Sequence, residues 1–73
     1  MANAEKRFSD YIIYFDGEVL CRINKVDSPE EAANRAAHYL HYTLEKYEDV
    51  QSAREEIDND AAIIDIKGKY EIA

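Results

Sequence analysis

The chain has no tryptophan, one cysteine, one proline, one methionine and only two glycines in 73 residues. The lone cysteine, Cys21, excludes an internal disulfide, and two isolated glycines exclude a glycine-rich phosphate loop. Basic residues are scarce too: nine Lys and Arg face sixteen Asp and Glu, for a formal net charge of −7. A field of that sign repels nucleic acid and anionic membrane over about a Debye length and attracts basic protein surfaces. No stretch approaches the roughly 18 apolar residues of a membrane span. Met1 to Arg7 is polar, and the first apolar run is too short for a signal-peptide core, so a cytoplasmic protein without membrane contact is expected.

What is present is enough to fold. A hydrophobic fraction of 47% and six tyrosines argue against disorder despite the charge. The length suits one domain, residues 1–73, with 1–8 as a polar lead-in. A domain this small buries only about 60% of its unfolded surface and needs a helper. With no disulfide and no metal pattern, self-association is the expected helper, in its commonest form a homodimer.

Tyr11-Ile12-Ile13-Tyr14-Phe15, then Asp16-Gly17, then Glu18 to Asn24 reads as a β-hairpin. The apolar residues Tyr11, Ile13, Val19, Cys21 and Ile23 are all odd-numbered. A three-residue loop pairing Tyr14 with Glu18 and Ile13 with Val19 keeps them on one face, with Gly17 in a bulge and Asp10 opposite Arg22. Ser28-Pro29-Glu30-Glu31 is a helix start: Ser28 caps, Pro29 takes the first position and Glu31 closes a capping box. Ala33, Ala37, Leu40, Leu44 and Tyr47, widened by Ala32 and Ala36, predict one buried stripe running to about Tyr47. Beyond it the phase breaks, so Asp49–Ile57 is a second short helix or a kinked continuation, ended by the turn chemistry of Asp58-Asn59-Asp60. Ala62, Ile64 and Ile66 predict another strand face, and Gly68, Tyr70 and Ile72 a closing hairpin. The fold class is therefore α+β, in the order β-β-α-(α)-β-β, with the main helix on one face of a small antiparallel sheet.

The candidate chemistry is thin. His38 and His41, three apart on a helix, could form half a metal site, but further ligands are missing and no metal or cofactor is expected. Cys21 falls on the inner strand face, where a thiol is an inert hydrophobe. Asp58-Asn59-Asp60 lacks the glycine and distal glutamate of a calcium loop. The adjacent pairs Glu30-Glu31 and Glu55-Glu56 do not face each other on a helix, and the first suits a helix N-terminus. No enzyme is expected.

Two surfaces remain. Ile12, Tyr14 and Leu20 share the even face of the hairpin, an apolar patch that one helix on the opposite face cannot cover, so either the second helix covers it or another copy does, as a dimer contact. Glu48, Asp49, Glu55, Glu56, Asp58 and Asp60 stand against one base, Arg54, a net −5 within residues 48–60. With Glu30, Glu31 and Glu45 they are the candidate partner-binding surface.

The segment SPEEAANRAAHYLHYTLE, Ser28 to Glu45, preceded by a hairpin, resembles the strand-then-helix segment of HicB-type antitoxins. That resemblance implies a partial ribonuclease-H-like fold and a regulatory protein-interaction module. In size, charge and character the whole chain is similar to small acidic host-takeover proteins of bacteriophages, of the DNA-mimic type. That likeness implies an inhibitor, acting as an acidic dimer in the host cytoplasm, that occupies the basic DNA-binding surface of a host protein without itself touching nucleic acid.

Overall fold

The first hairpin sets the frame on which everything else is hung. A computed structural model describes residues 8–67. Strand β1 (Ser9–Phe15) runs into β2 (Glu18–Val26) through Asp16 and Gly17 alone. Both turn residues have left-handed φ, 54° and 79°, the requirement of a type I′ turn. Phe15 pairs with Glu18 and Tyr14 with Val19, so the expected three-residue loop is replaced by a two-residue one. The parity conflict is real, and it is resolved one step later. A bulge leaves Leu20 unpaired, Ile13 then faces Cys21, and Tyr11, Ile13, Cys21 and Ile23 share one face while Val19 is left on the other.

A second irregularity lies between the Ser9–Val26 and Tyr11–Ile23 pairs. Lys25 takes φ 54° there and its N–H donates to the Asp10 carboxylate at 2.9 Å. Arg22 reaches the other oxygen of Asp10 at 2.9 Å, although its direct partner across the ladder is Ile12. The expected Asp10–Arg22 pair thus forms diagonally. With both oxygens engaged, Asp10 is buried at 6% exposure.

Helix α1 (Pro29–His38) starts where Ser28 Oγ accepts the Glu31 N–H at 3.1 Å. It ends sooner than its stripe predicts. Tyr39–Thr43 forms a π-helical turn, with the Leu44 N–H donating to Tyr39 O at 3.1 Å. The wide turn advances the phase by about one residue, so Leu40 stays buried while Leu44 and Tyr47, expected inside, are 39% and 38% exposed. Left-handed Glu45 (φ 53°) and a Lys46 N–H bonded to Leu40 O at 2.9 Å stop the helix there. Helix α2 (Val50–Asp60) is a separate element capped by Asp49, and Asp58, Asn59 and Asp60 form its last turn instead of a loop.

Strand β3 (Ala61–Asp65) pairs antiparallel with β1, giving the sheet order β2-β1-β3. The α+β class is borne out, with three strands among the described residues where four were expected. The closing hairpin through Gly68, Tyr70 and Ile72 lies outside those residues. Ile63 sits opposite the fully buried Ile13, so β3 turns Ala61 and Ile63 inward. Ala62 and Ile64 share one face as expected, and it is the outer one; Ile66 carries the register on by donating its N–H to Asp10 O at 2.9 Å. The core joins Tyr11, Ile13 and Val26 of the sheet to Ala32, Ala33, Ala36, Ala37 and Leu40 of the first helical stretch and to Ala53 and Ile57 of α2. Four alanines at 0–1% exposure let the α1 backbone approach the sheet closely.

Candidate functional site

The acidic segment divides by the job each carboxylate does. Ala53 and Ile57 point α2 at the core. At about 100° per residue, Glu55 stands on the opposite, solvent side, and Glu56 and Asp60 share one flank. Asp58 lies toward the other flank, where Arg54 holds it at 2.9 Å. Arg54 also donates to the Asn34 side chain, so this chain of contacts fastens α2 to α1. Asp49 accepts the Ser52 N–H at 2.7 Å. That backbone bond, helped by the Ser52 side chain and the nearby charge of His41, holds its carboxyl below the ordinary value. Glu48 is exposed in the preceding loop.

The flank of Glu56 and Asp60 has a member the sequence reading missed. Tyr47 has its phenol pKa raised, first by loss of water and then by the fields of Glu56, Asp16 and Asp60. Phe15 pairs with Ala61, the residue after Asp60, so the hairpin turn with Asp16 adjoins the end of α2. Nothing local in the sequence announces this, because the hairpin and the end of α2 meet only through the β1–β3 pairing. Of the other acids, Glu31 is paired with Arg35 at 3.3 Å within α1. Glu30 and Glu45 are exposed on the first turn of α1 and in the loop after it.

The histidines make a ring cluster. His38 Nδ1 donates to Asn34 O at 2.8 Å and His41 Nδ1 to Tyr47 O at 3.2 Å, since a carbonyl can only accept. Both rings lie against Tyr42, one stacked at 5.8 Å and one edge-on at 4.5 Å. No group of three or more potential metal ligands occurs among the described residues. Cys21 is half-buried, and burial pushes its thiol pKa up, the opposite of nucleophilic activation.

The second surface is the outer face of the sheet. Cross-strand pairing puts Ile12 beside Ile64, and Tyr14 between Val19 and Ala62. Leu20, expected here, is turned by its bulge to pack against the core, and Val19 takes its place. Both helices pack on the other face, so Val19, Ile64 and Tyr14 stay 59%, 46% and 38% exposed. No helix among the described residues is long and apolar enough to cross a membrane.

Comparison with protein-family models, with curated proteins and with solved structures finds no match to the chain. The functional reading therefore rests on these two surfaces.

Proposed function

We propose that the chain is a small acidic protein-binding inhibitor, a DNA mimic that occupies the basic DNA-binding surface of a host protein. The observation that carries this reading is a charge spacing. Asp49, Glu55, Glu56, Asp58 and Asp60 lie along α2 and its cap, over about 17 Å at ~1.5 Å per residue. That is a mean axial spacing of about 4 Å, or about 5.5 Å once Arg54 neutralises Asp58, of the same order as the roughly 3.4 Å per phosphate along one strand of duplex. The cap bond of Asp49 and the Arg54 contact of Asp58 fix two of these groups, and the helix carries Glu55, Glu56 and Asp60 on one short backbone. A second reading, a regulatory interaction module of antitoxin type, draws on the exposed apolar sheet face instead.

The test is capture from a bacterial lysate on the immobilised protein, eluted with a salt gradient. The mimic predicts a basic DNA-binding protein released by a few hundred millimolar salt, on the order expected for charge-dominated contacts. It also predicts loss of that capture for the Glu55→Gln/Glu56→Gln/Asp60→Asn variant with its circular dichroism unchanged. A partner that survives high salt and ignores the variant overturns the mimic and favours the second reading.

A further inference from the structure

We infer that the ring cluster on the π-helical turn, with Tyr42 at its centre, is a docking point for an arginine side chain of a basic protein partner. That the partner is basic rests on the mimic reading; the site itself rests on geometry. Backbone irregularity is concentrated in one short stretch. The π-helical turn Tyr39–Thr43 is followed by two left-handed non-glycine residues, Glu45 and Tyr47, at φ 53° and 70°. Wide helical turns and left-handed backbone of this kind recur at functional sites. The side chain presented there is Tyr42, at 68% the most exposed large hydrophobic side chain among the described residues.

An exposed tyrosine is ordinarily free to change rotamer, but this one is braced. His38 stacks on it at 5.8 Å and His41 meets it edge-on at 4.5 Å. Each imidazole is itself fixed through Nδ1, His38 by donating to Asn34 O at 2.8 Å and His41 by donating to Tyr47 O at 3.2 Å. A fixed aromatic surface loses little freedom on binding. Charge selects the occupant. The loop that follows, residues 44–49, holds Glu45, Glu48 and Asp49 against Lys46, all of them exposed. The bond from His41 to Tyr47 O ties this loop to the rings, and the charge of His41 acts on Asp49. A cation is favoured at such a place and a phosphate or an acidic peptide is repelled. Among cations, a guanidinium group stacks on an aromatic face and forks its hydrogen bonds to a carboxylate, whereas an ammonium is a compact, strongly hydrated point charge. Arginine and tyrosine are also the residues enriched at binding hot spots.

The test is an NMR titration of the full chain with acetyl-hexaarginine amide and, separately, acetyl-hexalysine amide at fixed salt. The arginine peptide is expected to bind the more tightly and to shift the ring resonances of His38, His41 and Tyr42. Tyr42→Ala weakens the arginine peptide about two- to fivefold and leaves the lysine peptide unchanged, and Tyr42→Phe keeps the preference. Should Tyr42→Ala lose its circular dichroism, the ring shifts of the wild type give the reading alone. Equal binding of the two peptides, no binding of either, unmoved ring resonances, or a folded Tyr42→Ala protein that binds as the wild type does overturns the inference. Any of these leaves the mimic reading to its own test, since the acids of α2 act without Tyr42. An arginine preference that survives while lysate capture ignores the α2 acids supports this site and overturns the mimic alone.

Discussion

Asp49 shows how one carboxylate can serve structure and field together. Its bond from the Ser52 N–H closes the first turn of α2, and its pKa falls below the ordinary 3.8. The folded value lies under the unfolded one, so the stabilisation is complete above 3.8 and is lost as pH falls through the folded value. Asp49→Asn keeps an equally good cap that does not titrate. Acid titrations followed by circular dichroism should show the variant less sensitive than the wild type below about pH 4, with equal stability at pH 7. Residues with one local role were legible in the sequence. Ser28 as a cap, Pro29 as the first helical residue and Cys21 on the inner face all stand as read. Asp16 was legible only as a turn residue, because its place near the end of α2 depends on the pairing of Phe15 with Ala61 of β3, which follows some 45 residues later in the chain.

Among the elements, the alanine face of α1 decides how close helix and sheet can come. Ala37 is fully buried, and a leucine there would have to push the layers apart or adopt a strained rotamer. Ala37→Leu should cost about 1–3 kcal/mol, read from the urea midpoint, despite leucine's good helix propensity. Element types were read correctly up to Leu40, where hydrophobic spacing and geometry agree. Spacing alone could not reveal the π-helical turn: Leu44 and Tyr47 fit an α-helical stripe, and the wide turn takes them out of it. The hairpin teaches a related lesson. Parity demanded one extra residue, which either the turn, by taking in Phe15, or the strand β2 could supply. Asp16-Gly17 favours the tight turn strongly enough that the bulge moved to Leu20, which also redirected that side chain from the outer face to the core.

The whole molecule separates its two assets, carboxylates on the helical side and in the loops, apolar side chains on the open side of the sheet. That division gives a −7 chain two surfaces of opposite character. The charge was legible from composition, and the open face was legible in part, through Ile12 and Tyr14. The remaining members, Val19, Ala62 and Ile64, needed the register of β3 and the bulge in β2. The most direct measurement is competition: the protein is titrated into a preformed complex of its captured basic partner with a fluorescent DNA duplex, and anisotropy is followed at fixed salt. The mimic predicts full release of the duplex by the wild type, with little release by Glu55→Gln/Glu56→Gln/Asp60→Asn. A duplex that stays bound while this protein joins the complex would contradict it.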